Sequence, residues 1–192
     1  GCAPGTTTGR VDDVSNKEKV IDDFTNILKV GESKLSDRVT ALIDTVKKLE
    51  EQISDLSTAK ASGVVNELLN EAKERGGAFP WTVRNLGTVD KEFFTRVTDS
   101  ISDTIKNQNL NTTVLFVSGI VDGKLLFAAS AGSEAVKKYA VHCGELVKAA
   151  AQKAGGGGGG SPVRAQAGGK EPEMLNEALN VAQSIIKSKA DV

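Results

Sequence analysis

Six consecutive glycines at positions 155–160, inside the run GGGGGGSPVRAQAGG, constrain this chain more than anything else in it. A backbone without Cβ atoms can approach another molecule closely and turn its N–H groups outward. Such a ribbon suits a phosphate, a sugar edge or a nucleobase better than it suits a hydrophobic core. The competing reading is a flexible linker between two helical stretches.

The 192 residues leave room for one or two domains, and a chain of this size buries roughly 70% of its extended-state surface. Apolar residues make up 39%, low for a compact globule, which points to an elongated part. The formal net charge is −1, but it is unevenly spread. Residues 10–56 hold 8 Lys/Arg against 11 Asp/Glu, whereas residues 132–170 hold 6 against 2. The simplest picture is an acidic arm joined to a basic, glycine-bearing head. Cys2 and Cys143 give no disulfide framework, so a reducing compartment, cytoplasmic or organellar, is expected. No apolar run reaches the ~20 residues of a membrane helix, so no membrane partner is expected. The opening GCAPGTTTGR lacks a signal-peptide layout, and residues 1–15 read as a disordered lead.

Val20, Ile21, Phe24, Ile27 and Leu28 recur at helical spacing and predict a helix over about 16–30, ended by Gly31. Ser33 or Ser36 then opens a longer helix. Along it Leu35, Val39, Leu42, Val46, Leu49, Ile53 and Leu56 alternate steps of four and three, the 3.5-residue period of a coiled-coil seam. Lys60 and Gly63 occupy the next core positions, so the seam stops there. Val64, Leu68, Leu69 and Ala72 carry the helix on to about Arg75. At 1.5 Å per residue, ~40 residues span roughly 60 Å, too long for a compact globule. The seam fits either an intermolecular coil or an antiparallel helix pair within one molecule.

After Gly76–Gly77 the pattern becomes mixed. Trp81 to Leu86 suggests a strand. Asp90 is placed to cap a helix carrying Phe94, Val97, Ile101 and Ile105. TTVLFVS at 112–118 is a β-branched strand, and Asp122-Gly123 signals a hairpin into a return strand over 124–129. Ser133 caps a helix expected to run unbroken to about Lys153, with Val136, Ala140, Cys143, Val147 and Ala150 as its apolar stripe. Pro172 suits the first turn of a last helix, with Leu175, Leu179, Ala182, Ile185 and Ile186 facing inward. The expected fold class is therefore α+β: a long helical, partly coiled-coil arm over 16–75, then a small mixed α/β globular domain over 78–192.

His142-Cys143-Gly144-Glu145-Leu146-Val147, the glycines 155–160, and Pro162 followed by Ala165-Gln166-Ala167-Gly168-Gly169 resemble the C-terminal domain of alanyl-tRNA synthetase. Residues 26–39 resemble the helical arm of that family. The globular half resembles a domain type that also accompanies DHH phosphoesterases, where a glycine-rich loop contacts nucleic acid. The resemblance implies a helical dimerisation arm and a globular part that binds the outer corner of alanine tRNA, supporting aminoacylation and editing while catalysing neither. Two departures stand out. Family members often carry a basic residue within the glycine run and another just before the proline, where this chain has Gly157 and Ser161. The acidic residue often found after the proline is Val163 here, followed by Arg164.

Catalytic and metal-binding readings find little support. A phosphate-gripping hydrolase loop needs a lysine after its glycines, and Gly160-Ser161-Pro162 has none. One histidine and two cysteines do not make a zinc set. His142 and Cys143 are adjacent, which on a helix points them about 100° apart, so they read as motif-packing and core residues rather than a base–nucleophile pair. No catalytic residue, metal or cofactor is therefore expected. Trp81 reads as core. The expected nucleic-acid contacts are the cations Lys137, Lys138, Lys148, Lys153 and Arg164. Gly156, Gly157, Gly158, Gly159, Gly160 and Ser161 join them, with Gln166, Gly168 and Gly169. Alanine tRNA is the expected partner, DNA a possible one, and self-association through Leu35–Leu56 gives a homodimer. The alternative is a dimerisation or protein-interaction module with weak RNA or DNA binding.

Overall fold

The computed structural model describes residues 8–191, with side chains from Asn16 onward. Cys2 and residues 1–7 of the expected lead lie outside the described residues. The remainder of that lead is helical, because α1 spans Thr8–Leu28 rather than starting near residue 16. The chain divides into two compact units, residues 1–55 and residues 56–192.

The first unit holds α1, a short 3-10 turn at Glu32–Lys34, and the start of α2, which runs Leu35–Glu74. Val39, Leu42, Val46, Leu49 and Ile53 are all exposed, as are Val20, Phe24 and Ile27 on α1. From Ala61 onward the same helix changes role. Ala61, Val65, Leu68, Leu69 and Ala72 are buried in the second unit. The boundary therefore falls inside α2, where the 3.5-residue seam gives way at Lys60 and Gly63, and not after the helix at 75–78.

The second unit is a five-stranded sheet in the order β1-β2-β3-β5-β4, with helices on both faces. Strand β1 (Trp81–Thr88) pairs parallel with β2 (Val114–Val121), and α3 (Lys91–Asn107) is the crossover between them. Asp90 caps α3 as expected, its carboxylate accepting from the Phe93 amide at 2.7 Å. Strand β3 (Lys124–Ala131) returns antiparallel through Asp122 and Gly123, both at positive φ (50° and 73°), the backbone a two-residue hairpin requires. The apolar run in β2 has no polar alternation because both faces of this strand are covered. Leu115 and Val117 face α2 and α3, while Val114 and Phe116 face the opposite helices. Phe116 and Phe127, both fully buried with ring centroids 6.1 Å apart, anchor that second layer. Burying each such ring contributes about 1.5–3 kcal/mol. Trp81 is buried as well, with the Arg75 guanidinium 4.9 Å over its ring.

Three expectations are corrected here. The helix expected over 133–153 is two helices, α4 (Ser133–Tyr139) and α5 (Cys143–Lys153). Ala140 takes a left-handed conformation (φ 50°, ψ 37°) between them, although no Gly or Pro marks the break. Tertiary contacts impose it: Val141 is fully buried, and the Lys189 ammonium from α6 (Leu175–Ala190) donates to the Ala140 carbonyl. The cap of α4 is Gly132, and Ser133 is its first helical residue.

The glycine run, expected as a loop, is the third correction. Gly157–Gly160 form β4, the edge strand, paired antiparallel with β5 (Arg164–Gly169).

Candidate nucleic-acid interface

All four residues of β4 are exposed. They differ in how much room surrounds them. A Cβ at Gly158 would lie 2.4 Å from the Ala167 Cα, and one at Gly160 2.6 Å from the Ala165 Cα. At Gly156 it would meet the Gly168 carbonyl oxygen at 1.9 Å. At Gly157 and Gly159 it would meet nothing within 4 Å. Three of the glycines thus let β4 lie against β5, while two present bare backbone to open space.

Helix α5 comes up to this strand through another glycine. A Cβ at Gly144 would stand 2.8 Å from the Gly160 carbonyl oxygen. The Cys143 amide donates to the Pro162 carbonyl at 2.9 Å, which ties the start of α5 to the β4–β5 turn. Ser161 closes that turn, its hydroxyl donating to the Arg164 carbonyl and accepting from the Arg164 amide. Between strand and helix lies an open cleft of about 340 Å³. Gly158, Gly159 and Gly160 form one wall, His142, Gly144 and Lys148 the other. The N-terminal end of α5, the positive end of its dipole, lies along this wall. Glu145, also on the wall, is the opposing charge.

The expected site residues separate into several groups. Lys148 and Gly158–Gly160 come together in the cleft. Arg164 and Gln166 do not, because side chains on a strand alternate between faces. Ala165 and Ala167 turn toward the α5 layer. Gln166 turns to α3, its amide 3.3 Å from the Thr98 hydroxyl, and the Arg164 guanidinium pairs with the Asp99 carboxylate on the same helix. Gly169 is buried, and its missing Cβ makes room for Ala154 at the end of α5, so it is a packing residue and not a surface contact. Gly168 and Gly156 are half-buried beneath the hairpin. Lys137 and Lys138 are exposed on α4, with the Lys138 ammonium 5.3 Å from the Tyr139 ring centroid, and Lys153 is exposed in the last turn of α5. Sequence reasoning passed over Gly144, Glu145 and Pro162 as cleft residues. The motif over 142–147 that contains the first two is legible in the sequence, but it reads there as mid-helix, and its place at the start of α5 beside the glycines depends on the fold.

Cys143 is fully buried, and burial pushes its thiol up from 9.0 to about 12. It is a core residue, as its place on the apolar stripe implies. The unfolded chain releases this proton first, so stability falls as pH rises above about 9, by up to about 1.4 kcal/mol per pH unit. Urea unfolding at pH 8, 9 and 10 should show that extra slope in the natural chain and not in Cys143→Ala.

Among the described residues, no group of three or more His, Cys, Asp and Glu gathers as a metal site. No described helix is long and apolar enough to cross a membrane.

Comparison with known proteins places this chain in a family. Residues 83–188 match the DHHA1 domain. An alanine–tRNA ligase from Carboxydothermus hydrogenoformans is 34% identical over 188 residues, covering 96% of this chain and 20% of the relative. One from Paraburkholderia phytofirmans is 36% identical over 153 residues, covering 80% of this chain and 17% of the relative. The chain thus spans about a fifth of the length of these curated relatives. The C-Ala domain of Aquifex aeolicus alanyl-tRNA synthetase is similar at 24% identity and a TM-score of 0.47, over 61% of this chain and 96% of that one. The resemblance read from residues 142–147, the glycine run and the segment from Pro162 to Gly169 is borne out: from β1 through most of α6, the chain belongs to the DHHA1 domain family.

Proposed function

We propose that the chain is a non-catalytic tRNA-binding and self-association domain of an alanine–tRNA ligase, with alanine tRNA as its partner. The observation that supports this best is the exposed, side-chain-free strand β4 facing Lys148 and His142 across one cleft. In this reading a ribose-phosphate backbone lies along Gly157–Gly160, close enough to meet main-chain amides. Lys148 contributes by displacing condensed counterions, and Glu145 opposes it. Aromatic residues are only 4% of the chain, so backbone and charge carry more of the affinity than stacking does. Holding the outer corner of the tRNA would assist aminoacylation and editing carried out elsewhere in the enzyme. The exposed apolar seam on α2 supplies the self-association surface.

Fluorescence anisotropy with alanine tRNA at low and moderate salt tests the reading. Lys148→Ala should weaken binding several-fold and flatten the log–log salt slope by about 0.7–0.9, the contribution of one phosphate contact. Glu145→Gln should strengthen binding. A specific observation favours the second reading, a protein-interaction module with weak RNA or DNA binding. Arg164, one of the expected cations, is already paired with Asp99. No tRNA binding at low salt would select that reading, and equal competition by DNA and RNA would remove the preference for tRNA.

A further inference from the structure

A second pocket lies on the opposite side of the β4–β5 turn from the glycine cleft. Pro162 lines the cleft, whereas the next two residues, Val163 and Arg164, line the pocket. Its volume is about 360 Å³, it is the more enclosed of the two, and its surface is mostly apolar. Ile105 of α3, Ala131 of β3 and Val163 form the apolar lining. The Ser102 and Ser130 hydroxyls also line it, both more than nine-tenths buried and 3.1 Å apart. The Ser102 hydroxyl donates to the Thr98 carbonyl at 3.1 Å, so Ser130 donates to Ser102, and both oxygens keep lone pairs that can accept from a ligand. The Asn111 amide adds a donor and an acceptor. Two cations, Lys106 and Arg164, complete the lining.

Apolar walls suit a flat ring. Two hydroxyl acceptors and one amide donor suit a ring edge that presents both kinds of group. Cations at the same opening suit an attached anion. An acyl chain would leave the Asn111 amide and the Lys106 ammonium unmatched, and a bare anion would leave the apolar walls uncovered. We propose that this pocket takes a nucleobase bearing a phosphate, either as a free nucleoside 5′-monophosphate or as an unstacked nucleotide of an RNA strand. In the second case the strand crosses the Ser161–Arg164 turn, with its backbone on β4 and one base in the pocket. The choice of ligand rests on the nucleic-acid reading of the neighbouring cleft. The Ser102 and Ser130 oxygens and the Asn111 amide then read the base edge, while Lys106 meets the phosphate and Arg164 stays paired with Asp99.

Amide NMR titration of the full chain with AMP, GMP, CMP and UMP, and separately with inorganic phosphate, tests the pocket. Saturable shifts at Ser130, Gly132 and Ser133 with at least one nucleotide, absent with phosphate, are the expected result. Ser133→Trp, at an exposed position on the pocket lining, should weaken that binding by about tenfold or more, the loss of roughly one good contact. Lys106→Ala should weaken it several-fold. A tRNA with one abasic site per variant, scanned through its exposed loops, separates the two sources. If one abasic position weakens binding to the natural chain but not to Ser133→Trp, the occupant is an RNA nucleotide. If none does while mononucleotides bind, the occupant is a free nucleotide. Mononucleotide binding without any tRNA binding would retire the tRNA reading and leave the pocket standing. No nucleotide-specific shifts, or the same shifts with phosphate alone, would overturn the proposal.

Discussion

Gly158→Ala is expected to dislodge the β4–β5 hairpin, whereas Gly157→Ala one residue earlier leaves it in place. The new carbon at 158 would sit 2.4 Å from the Ala167 Cα, 2.5 Å from its Cβ and 2.8 Å from the Gln166 carbonyl oxygen. These are mainly backbone atoms of the neighbouring strand, so no side chain can swing aside. Overpacking of this kind costs about 1–3 kcal/mol when the surroundings can relax, and the edge strand relaxes by leaving β5. Thermal unfolding should then fall by roughly 2–12 °C, at 2–4 °C per kcal/mol for a chain of this size. At 157 the new carbon meets nothing within 4 Å, and the expected change lies within about 0.5 kcal/mol of zero. The same open space makes Gly157→Lys a gain-of-function test. It places a cation beside the proposed phosphate path without touching the fold, so tRNA affinity should rise and its salt dependence steepen. Equal destabilisation at 157 and 158 in calorimetry would mean that β4 does not lie against β5 as described.

What could be foreseen in the glycine run, and what could not, follows from the range of the interactions involved. Its lack of side chains and its exposure are local properties and were legible. Its pairing was not, because glycine has little preference for a strand and the pattern of β5 is only six residues long. A run read as a loop carries no strand parity, so it says nothing of which β5 side chains share a face. Arg164 and Gln166 were then grouped with the glycines, although a strand from Arg164 to Gly169 sends them to the face opposite Ala165 and Ala167. The break at Ala140 was hidden for a related reason. Alanine is the strongest helix former, and its left-handed conformation is imposed by buried Val141 and by Lys189, 49 residues further on. By contrast, the Asp90 cap, the Asp122-Gly123 hairpin and the β-branched strand expected over 112–118 are written in consecutive residues; the first two appear where expected, and the strand forms two residues later, as Val114–Val121. The division inside α2 was half legible. Lys60 and Gly63 marked where the seam stops, but the helix continues through them, and only burial from Ala61 onward shows a change of unit.

Leu42→Asp is expected to convert a dimer into monomers while leaving the sheet and its helices folded. The natural chain leaves Val39, Leu42, Val46, Leu49 and Ile53 between 38% and 67% exposed on one helix, repeating every 3.5 residues. Scattered surface leucines need no explanation, but a contiguous stripe at this period is the pattern of a helix–helix contact. Each side chain is already about half covered, so burying the rest contributes on the order of 1 kcal/mol apiece, and ten such positions in a symmetric pair are enough to hold two chains together at micromolar concentration. An aspartate at the centre of the stripe would be buried without a partner, twice in a symmetric pair, at a cost of several kcal/mol. That would shift the dissociation constant by several orders of magnitude, since each 1.4 kcal/mol is a factor of ten. Sedimentation velocity at tens of micromolar should report dimers for the natural chain and monomers for Leu42→Asp. Because Leu42 lies in the unit of residues 1–55, the unfolding temperature of the sheet-bearing unit should stay within a degree or two. A natural chain that sediments as a monomer at that concentration would end the self-association reading. A variant that still dimerises would move the contact to another surface, and the exposed Val20, Phe24 and Ile27 of α1 are the next positions to charge.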